Sequence, residues 1–316
     1  MSNSIGIGSS TGRSTGIRNT ITGIVLAIAV LSGVAADVGI FSNFGEGPFM
    51  HETIRGQTVK IYGQGVYRHM PAEVAIQGIA QDYVTLFAGI PLLLIALTGY
   101  RNGSVRLHFL LAGVLGYFFV TYLFYLAMGA FNELFLCYVA LLALTFFGLY
   151  LTVRQLAIST RYRFSEKAPA VFAGWFLVIN AVLIALLWLG VVVPPLLDGT
   201  IYPVELYHFT TLIVQGFDLG LLLPVCIVVG ALLIKRKRAG YIYATVYLGF
   251  LSLLMLALTS KILFMAKEGV NVIPVIFIIP TITVIAILCT WLMIRNVEAD
   301  EDANAGSDVF VPAHDF

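Results

Sequence analysis

The sequence predicts an all-α, polytopic integral membrane protein with eight transmembrane helices. Three observations lead to this fold class: 59% of the 316 residues are apolar, only 11% are charged, and the mean hydropathy is +0.93. A soluble domain typically carries about 25% charged residues to cover its surface. This chain has too few for a water-facing surface, so we expect lipid to surround most of it.

Eight apolar segments are long enough to cross a hydrocarbon core of about 30 Å, which takes about 20 helical residues. The segments are continuously apolar, whereas strands of a membrane barrel would alternate in polarity and be about half as long. Helices are therefore favoured over a barrel. The predicted helices cover residues 20–41, 75–99, 106–128, 132–153, 169–193, 208–234, 240–264 and 271–294.

The distribution of Lys and Arg predicts the orientation, because cytoplasmic connections carry an excess of both. With the N-terminus inside, 13 of the 18 basic residues fall on the cytoplasmic side. The run Lys235 to Arg238 is the strongest of these anchors. Only Arg55, Lys60, Arg68, Lys261 and Lys267 then lie outside. We expect a multi-pass protein of the cell membrane with both termini in the cytoplasm.

The first apolar segment has an alternative interpretation as a cleaved signal peptide covering residues 1–36. Arg13 and Arg18 would form its charged region, and Val34-Ala35-Ala36 resembles a cleavage site. The segment is long for a signal peptide, which favours a retained helix.

Three regions follow along the chain. Residues 1–18 are rich in Ser, Gly and Thr and predict a disordered cytoplasmic head. Residues 19–296 form the eight-helix membrane domain. Residues 297–316 contain six acidic side chains and predict a solvated cytoplasmic tail.

The connection between the first two helices, residues 42–74, is the one sizeable extramembrane segment. Two stretches rich in β-forming residues, 58–62 and 66–69, flank the connection Gly63-Gln64-Gly65. This pattern predicts a small extracytoplasmic β-hairpin over residues 58–69. A lone hairpin is marginal in water, so we expect it to rest on the outer helix ends.

The second and sixth helices share a pattern that suggests an internal repeat. One contains Gln77-Gly78, Asp82 and Pro91 before a basic residue, and the other contains Gln215-Gly216, Asp218 and Pro224 before a basic residue. If the repeat is real, it divides the chain into two four-helix halves, a 4+4 arrangement. An even number of helices per half makes the two repeats parallel.

Ionisable side chains at membrane depth are costly, and they are the best functional indicators in this sequence. At a rise of about 1.5 Å per residue, Asp82 lies about 28 Å and Asp218 about 25 Å from the cytoplasmic boundary. Lys261 lies at a similar outer level on the seventh helix. Adjacent antiparallel helices would bring Asp218 and Lys261 together, and Gln81 and Gln215 accompany the two carboxylates.

Each of these residues also has an ordinary structural explanation. Lys261 can extend its side chain to the outer headgroups. Asp82 can simply mark a helix end near water. Asp37 and Glu133 are more typical of the membrane interface than of a binding site. The aromatic residues of the third helix are more typical of packing than of a ligand cage.

Several chemistries find no support in the sequence. It contains no glycine loop that would hold a nucleotide phosphate, and no basic run long enough for nucleic acid. The five histidines lack zinc-helix spacing, and Cys137, Cys226 and Cys289 lie in separate apolar segments. We therefore predict no cofactor, no metal and no nucleic-acid partner; the bilayer is the one partner that the sequence identifies.

Three functions remain open. The first is transport or binding of a small polar or cationic solute at an outward-facing site built from Asp82, Asp218, Gln81, Gln215 and Lys261. The second is a non-catalytic sensor or scaffold that uses the outer hairpin for recognition. The third is a lipid-modifying membrane enzyme, for which the sequence shows no nucleophile or base.

Overall fold

The computed structural model describes residues 8–200, 202–203 and 206–299. This part of the chain contains eight helices that are long and apolar enough to cross a membrane, as predicted. The eight helices have the following bounds: α1 Gly8–Phe41, α2 Ala72–Arg101, α3 Val105–Met128, α4 Phe135–Ile158, α5 Ala170–Asp198, α6 Ile213–Ile234, α7 Arg238–Lys267 and α8 Val275–Arg295.

Among the described residues, four short strands form two antiparallel pairs. The strands are β1 Phe49–Glu52, β2 Thr58–Ile61, β3 Tyr162–Phe164 and β4 Val297–Ala299. β1 pairs with β2 between α1 and α2, and β3 pairs with β4 at the opposite end of the bundle. We call the end that carries β1 and β2 the hairpin side. The other end, with the α2–α3, α4–α5 and α6–α7 connections, is the basic side.

The helices pack as two groups that meet along α7. In the first group α1 packs on α2 and α4, and α3 packs on the same two helices. In the second group α5 packs on α6, and α7 packs on both α6 and α8. α7 also packs on α2 and α3, which joins the two groups. The 4+4 repeat stays a prediction.

α3 is the most enclosed helix and α5 the least. The aromatic side chains of α3 explain this, because Phe109, Tyr117, Phe118 and Tyr122 are all fully buried. At the centre of the fold α3 approaches α7 through two glycines: a Cβ on Gly113 would lie 2.9 Å from the Cα of Gly249. Larger side chains at these two positions would force the helices apart.

The hairpin predicted over residues 58–69 is wrong in its second half. β2 forms where the sequence predicted a strand, but its partner is β1, with Phe49 opposite Ile61 and Glu52 opposite Thr58. The sequence pattern around β1 is short and contains Pro48, and it gave no sign of a strand.

Residues 62–71 turn back instead of forming a strand. Gly63 and Gly65 have φ of +76° and +57°, the left-handed region that glycine adopts without strain. A 3-10 turn, Gly65–Tyr67, follows. Val66 and Tyr67 are both buried, whereas successive side chains of a strand point to opposite faces.

The predicted head and tail also differ from expectation where they are described. α1 begins at Gly8, so residues 8–18 are helical and the expectation of disorder is wrong for them. A membrane-spanning helix is already nucleated, and extending it costs far less than starting one. Residues 297–299 of the predicted tail form β4. Residues 1–7 and 300–316 lie outside the described residues.

Candidate cation-binding site

Asp82 lies inside the bundle and is only 2% exposed. The hydroxyl of Tyr67 donates to its Oδ2 at 2.6 Å, and the hydroxyl of Tyr125 donates to its Oδ1 at 2.7 Å. Tyr67 comes from the turn after β2, and Tyr125 comes from α3. Each carboxylate oxygen therefore has a hydroxyl donor from a different part of the chain.

Glycines allow this close packing around Asp82. A Cβ on Gly39 of α1 would lie 1.9 Å from Oδ2 of Asp82, and a Cβ on Gly78 would lie 2.8 Å from the Tyr67 ring. The two glycines thus leave the room that the carboxylate and the tyrosine occupy.

Gln81 extends the polar network between α2 and α3. It is 4% exposed, and its Nε2 donates to the hydroxyl of Tyr117 at 2.8 Å and to Oγ1 of Thr121 at 3.1 Å. The hydroxyl of Tyr117 also lies 2.9 Å from Oγ1 of Thr85. Tyrosines expected to serve only packing therefore supply hydrogen bonds to the site.

Asp218 lies on the second group of helices and is partly buried. Nε1 of Trp188, on α5, donates to its Oδ2 at 2.7 Å. Gln215, one turn earlier on α6, is 8% exposed. The carboxylate is thus tied to α5 and faces protein on at least one side.

Lys261, on α7, lies within electrostatic range of both carboxylates. Its charge interacts with both Asp82 and Asp218. It makes no contact ion pair with either: the ion pairs between described residues are Arg68–Glu133 and Arg163–Glu298. Oγ of the neighbouring Ser260 donates to the carbonyl of Ala80 at 3.1 Å, which holds this part of α7 against α2.

The helical geometry changes beside both carboxylates. In α2 a π-helical turn, Thr85–Gly89, interrupts the α-helix, and in α6 a π-helical turn covers Asp218–Leu222. Each turn ends two residues before a proline, Pro91 or Pro224. Proline has no N–H to donate, and π turns inside α-helices occur often at functional sites.

These turns correct the register of the suggested repeat. Aligning Pro91 with Pro224 places Asp82, nine residues before its proline (91 − 82), opposite Gln215 (224 − 215). Asp218, six residues before its proline, then falls opposite Thr85. In this alignment the two carboxylates therefore lie one helical turn apart. The sequence alone does not show this offset, because no residue pattern marks the π turns.

The carboxylate of Asp82 is covered on the hairpin side of a site that the sequence predicted to face outward. Tyr67 covers the carboxylate of Asp82, and two residues of the same turn are fixed to their surroundings. Arg68 donates to both carboxylate oxygens of Glu133 at 3.1 and 2.7 Å, and these hydrogen bonds lower the pKa of Glu133. N of Val66 donates to Oγ of Ser42 at 2.9 Å.

Other polar residues lie apart from this cluster. Asp37 is exposed. His208 and the residues up to 212 precede α6 rather than begin it, although the sequence predicted a helix from 208. His51, His69 and His208 line a pocket of about 280 Å³ on the hairpin side. Burial lowers the pKa of His208, and the nearby His51 lowers it further.

Sequence reasoning found the charged residues of the cluster and missed their donors. Tyr67, Tyr125 and Trp188 come from three other elements, and no local pattern marks them. Neither a family model, nor a curated protein, nor a solved structure matches this chain.

Proposed function

We propose that this multi-pass membrane protein binds a small cationic solute between Asp82 and Asp218 and moves it across the membrane. The observation that carries the proposal is the buried carboxylate of Asp82, held by hydroxyls from two separate elements. An ionised group away from water costs several kcal/mol unless it is well paired, and such groups mark solute pathways in membrane proteins.

The charge of the cluster supports a cation rather than an anion. When all three groups carry their charge, two carboxylates and one lysine sum to −1 (−2 + 1). A monovalent cation would neutralise the cluster, whereas an anion would add to its negative charge. Lys261 offsets one carboxylate in the absence of the solute, which lowers the cost of keeping both at membrane depth.

The position of the cluster supports movement of the solute. Asp82 and Asp218 lie on α2 and α6, and Lys261 lies on α7, the helix that packs on both. Interrupted helices that form a solute site are typical of transporters built from repeats. The π turns beside Asp82 and Asp218 give α2 and α6 such interruptions.

In the proposed function, the turn after β2 acts as a gate. Tyr67 must leave Asp82 before a solute can reach the carboxylate from the hairpin side. The bound cation would then neutralise the negative charge of the Asp82 carboxylate, which the two tyrosine hydroxyls now stabilise.

Thermal unfolding of the purified full-length chain tests binding. Methylammonium, choline and guanidinium chlorides are each compared with sodium chloride at equal ionic strength. We expect at least one of the three to raise the unfolding temperature; a ligand at about 100 times its Kd adds about 2.7 kcal/mol. Asp82→Asn and Asp218→Asn should lose this shift.

Asp37→Asn is the matched control, because it neutralises an exposed carboxylate on the hairpin side and should keep the shift. The cation that stabilises the protein is then followed, radiolabelled, into vesicles containing wild-type protein. Uptake by Asp82→Asn or Asp218→Asn at the wild-type rate, with normal membrane expression, would overturn the proposal.

A second candidate, the sensor or scaffold, is favoured by the tip of the hairpin. Met50 and Ile54 are 64% and 92% exposed, and exposed apolar side chains in a loop often mark a contact surface. Removing residues 55–70 would not separate the two functions, since it also removes Tyr67 from Asp82. The double variant Met50→Ser, Ile54→Ser leaves the site intact and should abolish activity only under this second function.

The third hypothesis, a lipid-modifying enzyme, stays a prediction. No cluster among the described residues favours it over the other two.

A further inference from the structure

A lateral groove of about 660 Å³ lies between the two groups of helices, and its lining includes none of Asp82, Asp218 and Lys261. α3 and α4 form one wall, and α6 and α7 form the other. Phe146 and Tyr150 on α4 and Leu221 and Val225 on α6 line the groove and are each 42–54% exposed. The groove is therefore open at the face of the bundle that meets lipid.

The walls of the groove are apolar. Phe119, Phe146, Val225 and Phe250 are typical of its lining. The hydroxyl of Tyr247, another lining residue, is used internally, since it donates to the carbonyl of Leu222 at 3.0 Å. An apolar cavity open to a bilayer is filled by hydrocarbon, because lipid tails are as apolar as the side chains around it.

The length of the groove matches one leaflet. Along α4 the lining runs from Phe146 to Ala157, a separation of 11 positions (157 − 146), or about 16 Å at the helical rise. Half of a hydrocarbon core of about 30 Å is about 15 Å. Ala157 lies next to the end of α4 on the basic side, so the groove spans the leaflet on that side.

The rim of the groove is basic. Arg154 lines it, is exposed, and forms no hydrogen bond or ion pair with any residue that the structure describes. A guanidinium of Arg238 donates to the carbonyl of Ser159, which brings the α6–α7 connection beside the end of α4. The exposed Lys235 and Lys237 belong to that connection.

We propose that the groove holds one acyl chain of an anionic phospholipid from the leaflet on the basic side, with the phosphate beside Arg154. Arginine is suited to this role, because its planar guanidinium can donate two parallel hydrogen bonds to a phosphate. Tyr150 and Tyr243 flank the rim, and tyrosine is enriched at this level of a membrane.

The bound lipid would also fill the space between the two groups of helices. Its chain would contact α3 and α4 on one side and α6 and α7 on the other. None of Asp82, Asp218 and Lys261 lines the groove, so this inference does not depend on the proposed transport function.

Native mass spectrometry of the full-length chain tests the inference. The protein is released from nanodiscs containing equal amounts of phosphatidylcholine and phosphatidylglycerol. We expect wild-type protein to retain one phosphatidylglycerol in preference to phosphatidylcholine. Arg154→Gln should reduce that occupancy about tenfold, because it removes the charge-assisted hydrogen bonds between the guanidinium and the phosphate.

Two matched controls accompany the variants. Arg101→Gln removes an exposed arginine from the basic end of α2, outside the groove, and should retain the lipid. Val225→Trp fills the groove and should exclude the lipid, whereas Val228→Trp, exposed on the same helix but outside the lining, should not.

The inference is overturned by equal retention of the two lipids, or by equal occupancy in Arg154→Gln and Arg101→Gln. It is also overturned if the wild-type chain is a dimer that Val225→Trp dissociates, because a second copy would then cover the groove. If Val225→Trp does not fold, the comparison of the two arginine variants decides.

Discussion

Gly39 determines how closely α1 can approach the carboxylate of Asp82. The side chain of Asp82 cannot move aside easily, because hydroxyls of Tyr67 and Tyr125 hold its two oxygens at 2.6 and 2.7 Å. A methyl group at position 39 would lie 1.9 Å from one of these oxygens. The site therefore requires that position 39 of α1 has no side chain.

We expect Gly39→Ala to lower the free energy of unfolding by about 1–3 kcal/mol, the usual cost of overpacking a well-packed interior. Either the carboxylate loses a tyrosine donor or α1 moves away from α2. The measurement is thermal or chemical unfolding of the purified protein in one detergent.

Gly23→Ala, on the same helix, is the control, because no atom lies within 4 Å of a Cβ at that position. Its unfolding should stay close to that of the wild type. Equal unfolding of the two variants would show that the space around Asp82 is less restricted than the structure indicates.

At the scale of the elements, long sequence patterns predicted the structure correctly and short ones did not. The prediction of each transmembrane helix depends on about 20 apolar residues, so local irregularities do not change it. β3 and β4 have three residues each, too few for an alternating pattern. β1 pairs with β2 across residues 53–57, whereas the sequence predicted the hairpin connection at residues 63–65. Gly63 and Gly65 resemble such a connection, but the chain that follows them forms a 3-10 turn and no strand.

β4 anchors the end of α8 to the basic side of the bundle. Val297 is 2% exposed and packs in a cluster with Phe109, Leu156 and Tyr162. Nε of Arg106 donates to the carbonyl of Val297 at 2.9 Å. A segment predicted to be a solvated tail thus begins with a buried residue.

We expect Val297→Asp to lower the free energy of unfolding by about 3 kcal/mol or more, since it places an unpaired charge in an apolar cluster. Ala299→Asp adds the same charge two residues later, where the side chain is exposed, and should change stability by no more than about 0.5 kcal/mol. The measurement is the free energy of unfolding of both variants, determined by the same method. A tolerated Val297→Asp would mean that β4 does not pack on the bundle in solution.

At the scale of the whole molecule, the candidate site could be predicted only in part. The cost of charge at membrane depth singled out Asp82, Asp218 and Lys261 from the sequence. Their relation depends on how α7 packs against α2 and α6, which no local pattern encodes. Tyr67 is further from prediction still, since it lies outside the helices and reaches Asp82 only because the turn after β2 folds onto the bundle.

The orientation of the whole bundle is predicted by charge. Thirteen of the 18 Lys and Arg residues belong to the basic side, and short connections rich in these residues stay in the cytoplasm. The even number of helices in the described chain then places both of its ends on that side. The Asp82 cluster would face the outside, and the lipid groove would lie in the inner leaflet.

Reporter fusions test this orientation. A green fluorescent protein fused after Gly103, in the α2–α3 connection, should fluoresce, and alkaline phosphatase at the same position should be inactive. After Gly199, on the hairpin side, the two reporters should give the opposite results, because alkaline phosphatase becomes active only outside the cytoplasm, where its disulfides form. An active phosphatase after Gly103 would show that the bundle has the opposite orientation. The four basic residues from Lys235 to Arg238 would then have crossed the membrane, against the strongest orienting charge in the sequence.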